Sequence, residues 1–127
     1  MKKSIQTTKA PTAVGPYSQA VQVGNTVYIS GQIPLDPQTN TGVEGNIAVQ
    51  TKQIFKNIEE IIKAADPKAS FQNIVKTTVF LTNLEDFTKV NEVYNEIFNQ
   101  PYPARSTVQV AALPKNAQIE IEAIAII

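Results

Sequence analysis

Two alternating runs near the end of the chain restrict the fold more than any other stretch. Residues 105–110 read Arg-Ser-Thr-Val-Gln-Val and residues 118–122 read Gln-Ile-Glu-Ile-Glu. Each has the pattern of a strand with one wet and one dry face. Leu113-Pro114-Lys115-Asn116 lies between them and carries turn residues, so the spacing predicts a β-hairpin. With Thr107 opposite Glu120, the residues Arg105, Thr107 and Gln109 share a face with Gln118, Glu120 and Glu122. Val108 and Val110 then share the other face with Ile119 and Ile121, because side chains alternate with period two. A slip of one residue mixes charged and apolar groups, so the faces are well specified. The polar face offers a guanidinium, two carboxylates and a hydroxyl. One reading is a solvated face with a cross-strand ion pair, worth under ~1 kcal/mol. The other is a site, favoured by apolar flanks and by Pro103, which fixes the entry to Arg105.

The sequence limits the chemistry such a site can use. The chain has 127 residues, enough for one domain over residues 1–127 with a single core, and is 43% hydrophobic. Eleven Lys and Arg balance eleven Asp and Glu, which leaves no long-range attraction for nucleic acid or an anionic membrane. Cys and His are both absent, so thiolate nucleophiles, imidazole bases and imidazole zinc sites are excluded. Catalysis must come from carboxylates, Lys, Arg, Tyr, hydroxyls, the backbone or water. The basic amino terminus lacks the apolar segment of a signal peptide. No apolar run approaches the ~18 residues of a membrane span. A cytoplasmic location is expected.

Along the chain, residues 1–16 read as an extended lead-in with a short strand near Ser4–Thr7. Tyr17–Val23 and Thr26–Ser30 flank Gly24-Asn25, a hairpin signal. Gly31 marks a bulge or a close backbone approach, and Pro34 ends pairing. Residues 35–46 are rich in turn formers and read as a loop. Ile47–Ala65 is the strongest helix, with Asn46 as N-cap and Asp66-Pro67 as the stop. Ile74–Thr82 is β-branched and apolar on both sides, which suggests a central strand. Asn83 opens a second helix over about Leu84–Phe98, with Leu84, Phe87, Val90, Tyr94, Ile97 and Phe98 as its apolar stripe. The order β-β-α-β-α-β-β predicts an α+β sandwich, one sheet with two helices on one face. The open sheet face predicts a homo-oligomer.

Several segments together resemble the RidA (YjgF-type) reactive-intermediate deaminases. They are Ala13-Val14-Gly15-Pro16-Tyr17-Ser18-Gln19, Ser30-Gly31-Gln32-Ile33-Pro34, Val75-Lys76-Thr77-Thr78-Val79-Phe80, Pro103-Ala104-Arg105-Ser106, Leu113-Pro114-Lys115 and Ile119-Glu120-Ile121-Glu122-Ala123. The resemblance runs over essentially the whole chain. It implies a chorismate-mutase-like fold in a homotrimer, with a central barrel and clefts between subunits. It also implies hydrolysis of short 2-enamino and 2-imino acids, such as 2-aminoacrylate and 2-iminobutyrate, to 2-oxo acids and ammonia. Such intermediates are released by pyridoxal-phosphate enzymes acting on serine or threonine, and the family enzyme needs no cofactor and no metal.

Carried over by position, Arg105 matches the arginine that grips the substrate carboxylate, and Glu120 matches the glutamate that holds the attacking water. Tyr17, Ser30, Gly31 and Asn91 match pocket residues, with Tyr17 and Asn91 expected from the neighbouring subunit. Thr107 stands where many members carry Cys, and deamination is expected to survive because the mechanism requires no thiol. Arg105 beside Glu120 should lower the carboxyl pKa, whereas burial in a cleft should raise it. Two other classes stay open: a trimer that binds small carboxylates without turnover, and a ribonuclease or translation inhibitor. The balanced charge argues against the latter.

Overall fold

The computed structural model describes residues 1–127. Eight strands and two α-helices follow in the order β1 (Lys3–Ile5), β2 (Ala20–Val23), β3 (Thr26–Gln32), β4 (Leu35–Asp36), β5 (Thr41–Gly42), α1 (Ile47–Ala65), β6 (Ile74–Leu81), α2 (Phe87–Ile97), β7 (Ala104–Gln109) and β8 (Ile119–Ile126). Six strands form one sheet in the order β1-β2-β3-β8-β6-β7, and β4 and β5 form a separate small hairpin. All neighbours in the large sheet are antiparallel except β6 and β7.

Local sequence sets α1 directly. The Asn46 side chain accepts from the Val49 amide at the start, and the Asp66 amide donates to the Ile62 carbonyl at the end. The helix buries Ile54, Phe55, Ile58, Ile61 and Ile62 against Val27, Val79, Leu81, Ile119 and Ile121 of the sheet, within one hydrophobic cluster. Both helices therefore cover the same sheet face, as expected. The second helix starts later than predicted: Leu84–Asp86 is a 3-10 turn, capped by the Asn83 side chain on the Glu85 amide, and the α-helix runs from Phe87.

The predicted hairpin of the last two strands does not form. β8 inserts between β3 and β6, and β7 pairs with β6 instead, with Thr77 opposite Arg105 and Val79 opposite Thr107. The physical reason is the helix between them. A strand–helix–strand unit brings its second strand back parallel to the first, a strong topological preference. β6 is an interior strand, as expected, paired with β8 on one side and β7 on the other. It lies next to the edge, with Thr77, Val79 and Leu81 buried under the helices and Lys76, Thr78 and Phe80 on the other side. That open side also carries Tyr28, Val108 and Ile126, all exposed.

The lead-in is held more firmly than its composition suggests. Gln19 is buried, and its side chain accepts from the Thr7 amide at 2.7 Å while donating to the carbonyls of Thr7 at 3.0 Å and Pro11 at 2.8 Å. Removing that amide strands several backbone groups. Gln19→Ala is expected to lower stability by about 2–3 kcal/mol, read as a fall in the urea midpoint with unchanged slope. No helix is long and apolar enough to cross a membrane.

Candidate active site

The register of β7 and β8 puts Arg105 and Glu120 on opposite faces of the sheet. Arg105 lies on the helix side with Thr77, and Glu120 lies on the open side opposite Phe80. The cross-strand pair predicted from alternation is therefore absent. The three ion pairs of the structure are Lys52–Glu96, Lys63–Glu59 and Lys89–Glu92, so neither group is neutralised within the chain.

Glu120 belongs to a hollow of about 590 Å³ lined by Tyr17, Ser30, Gly31, Gln32 and Lys115 among others. A bulge builds its floor. Between the pairs Ile29–Ala123 and Gln32–Ile121, β3 places Ser30 and Gly31 against the single residue Glu122 of β8. Such an extra residue bends the strand and re-aims its side chains. Gly31 is needed for close approach: a Cβ built there would lie 2.5 Å from Glu120 Oε2. Ser30 is fixed from both ends, its amide donating to the Gln19 carbonyl and its hydroxyl to the Ser18 carbonyl. The Tyr17 hydroxyl accepts from the Val14 amide at 3.3 Å, and Lys115 Nζ donates to the Asn40 carbonyl at 3.0 Å, tying the rim together.

Burial raises the pKa of the Glu120 carboxyl, and the like charge of Glu122 adds to the rise. Arg105, on the far face, does not lower it, which resolves the two opposed expectations in favour of the upward shift. If the ionised carboxylate is the working form, the raised pKa moves the acid limb of the rate profile to higher pH. Glu122→Gln removes the repulsion, so its acid limb is expected at lower pH than that of the parent protein, measured as kcat/KM against pH.

The second hollow, about 430 Å³, is lined by Asn91, Tyr94, Asn95, Tyr102, Pro103 and Arg105. The Arg105 Cζ lies 4.7 Å from the centroid of the Tyr94 ring and 5.2 Å from that of Phe87. A cation stacked on aromatic faces keeps its N–H donors for another acceptor. Thr107 follows two residues later on the same face, and its Oγ1 is the one buried side-chain polar atom without a hydrogen-bond partner. Tyr94 and Phe87 were read from the sequence only as part of the apolar stripe. Their spacing of seven residues puts them on one helix face but does not tell a cation platform from core packing.

The predicted site residues thus fall into two groups. Tyr17, Ser30, Gly31 and Glu120 gather on one side, and Asn91, Arg105 and Thr107 on the other. This grouping differs from the expected one, in which Arg105 and Glu120 came from one subunit and Tyr17 and Asn91 from its neighbour. One group is an acid with room for water; the other is a permanent cation with no acid of its own. Within one chain the two hollows stay separate.

Comparison with known proteins assigns the class. The family described as Endoribonuclease L-PSP matches residues 7–127. The mouse protein named 2-iminobutanoate/2-iminopropanoate deaminase is 53% identical over 126 residues, which is 99% of this chain and 92% of that protein. The crystal structure of RidA from the Antarctic bacterium Psychrobacter sp. PAMC 21119 superposes with a TM-score of 0.92 at 54% identity, covering 98% of this chain and 99% of the other. The structure of E. coli TdcF with bound serine gives a TM-score of 0.90 at 45% identity over 98% of both chains. The chain belongs to the RidA (YjgF-type) family.

Proposed function

We propose that this chain hydrolyses short 2-imino and 2-enamino acids to 2-oxo acids and ammonia, in a homotrimer whose clefts join the Arg105 hollow of one copy to the Glu120 hollow of the next. The observation that carries this reading is the split itself. The guanidinium and the carboxylate lie on opposite faces of one sheet, each unpaired and each opening into its own hollow. A single copy cannot bring both to one small molecule, and a neighbouring copy can. The exposed Tyr28, Val108 and Ile126 on the open face supply apolar area for such contact. The names of relatives at about half identity supply the reaction.

In this arrangement Arg105 takes the substrate carboxylate through two parallel N–H···O bonds. The carboxylate anchors the molecule with its C=N carbon toward Glu120 of the adjoining copy. Glu120 holds a water and accepts its proton as the oxygen bonds to that carbon and the C=N electron pair moves to nitrogen. The proton then passes from Glu120 to the amino group, and as the C–N bond breaks and ammonia leaves, the ionised Glu120 takes the hydroxyl proton, which leaves the 2-oxo acid. The raised pKa of Glu120 suits both halves of this exchange, because a carboxyl nearer neutrality is a better proton acceptor and still returns the proton. Thr107, two residues beyond Arg105 on the same strand face, has an unpartnered Oγ1 and is a candidate further donor to the substrate.

The test couples a threonine dehydratase to this protein and follows decay of the imine it releases. The parent protein should accelerate decay, whereas Arg105→Ala and Glu120→Ala should each lose most of that acceleration. Binding of 2-oxobutyrate without any acceleration would instead mark a carboxylate-binding protein.

A further inference from the structure

We propose that Tyr94 is a positioning residue for the carboxylate-binding arginine: its ring carries the Arg105 guanidinium, and its hydroxyl is locked in place by Thr77. The inference rests on the assignment of Arg105 as the carboxylate anchor, and it adds what holds that anchor still. β7 is an edge strand, paired on one side only with β6. A long cationic side chain on such an edge, with no acid to pair with, would spread over many rotamers and lose much of its fork geometry. Tyr94 opposes this. The Arg105 Cζ lies 4.7 Å from its ring centroid, against 5.2 Å for Phe87.

The platform is itself clamped. The Tyr94 ring meets Phe55 edge-on at 5.3 Å and lies 5.1 Å from Phe98. Its hydroxyl sits 2.7 Å from Thr77 Oγ1 in the buried interior. Thr77 is fully buried and stands directly opposite Arg105 in the parallel register. One hydrogen bond therefore joins α2, which presents the ring, to the strand neighbour of the arginine. Burying two hydroxyls costs free energy that a Phe and Val pair would avoid. A ring needed only to fill the core has no use for that bond. A ring whose tilt sets the direction of a cation does.

The experiment reads imine-decay kinetics and calorimetric affinity for 2-oxobutyrate in Thr77→Val, Thr77→Ser, Tyr94→Phe and Tyr94→Leu, with melting curves for each. Thr77→Val and Tyr94→Phe free the ring and should raise KM and weaken 2-oxobutyrate binding about three- to tenfold, with a smaller fall in kcat. Thr77→Ser restores the hydroxyl and should match the parent protein. Tyr94→Leu removes the platform and should weaken binding by more than about tenfold. If it does not fold, the Thr77 pair and Tyr94→Phe decide. The inference is overturned if folded Thr77→Val and Tyr94→Phe keep parental KM and affinity, or if Thr77→Ser behaves as Thr77→Val does. Affinity is read without turnover. A parent protein that binds 2-oxobutyrate but leaves the imine untouched defeats the deaminase reading alone, and one that does neither defeats both.

Discussion

Arg105→Ala is expected to reduce kcat/KM for a short 2-imino acid by about 10²–10³-fold, since truncating one side of a desolvated, hydrogen-bonded charge pair costs ~2–5 kcal/mol. The fold should survive. Arg105 makes no ion pair in the chain, and Tyr94, the nearer ring beneath it, belongs to a buried aromatic cluster with Phe55 and Phe98 that stands without it. Arg105→Lys separates charge from shape. It keeps the positive end but loses the planar fork, so an intermediate loss of about tenfold is expected. Steady-state rates beside melting temperatures check both points. An equal activity in Arg105→Ala would show that the carboxylate is held elsewhere.

The second large effect is expected from adding one methyl group. In Gly31→Ala the new Cβ would fall 2.5 Å from Glu120 Oε2 and 2.8 Å from its Cδ. Gly31 is outside the left-handed region, so an alanine meets no backbone strain there. The obstacle is the far end of a flexible side chain, which can swing aside at little cost to stability. It swings, however, out of the place where a water must be held. A displacement of about 1 Å is worth about 10²-fold in rate. Gly31→Ala should therefore lose about that much kcat with a melting temperature close to the parent's and with 2-oxobutyrate affinity largely retained. Loss of folding instead would mean that the bulge, and not the carboxylate, is what Gly31 serves.

Much of the fold was legible from local signals. Asn46 and Asp66-Pro67 bound α1 because caps and prolines act within a few residues. Gly31 read as a bulge or a close approach, and it is both. The pairing of the last strands was not legible from alternation, which specifies the faces of a strand but not its neighbour. The alternative signal lay in the element order. β6, α2 and β7 form a strand–helix–strand unit, whose parallel return leaves β8 to enter the sheet on the other side of β6.

That single difference moved Arg105 across the sheet from Glu120. Residue types told what chemistry was available, while the register told where it was. Tyr94 and Phe87 stayed hidden for another reason: an aromatic residue on a helix stripe gives the same sequence pattern whether its ring fills a core or carries a cation.

A complementation assay tests most directly whether the working site is shared between copies. Arg105→Ala and Glu120→Ala are each purified, unfolded together in equal amounts, refolded and assayed for imine decay. If each site takes its arginine from one copy and its glutamate from the next, random mixing regenerates intact sites in about a quarter of cases, and activity returns to about that fraction of the parent's. If the refolded mixture assembles and stays as inactive as either variant alone, the two hollows do not meet, and the shared-site account is contradicted.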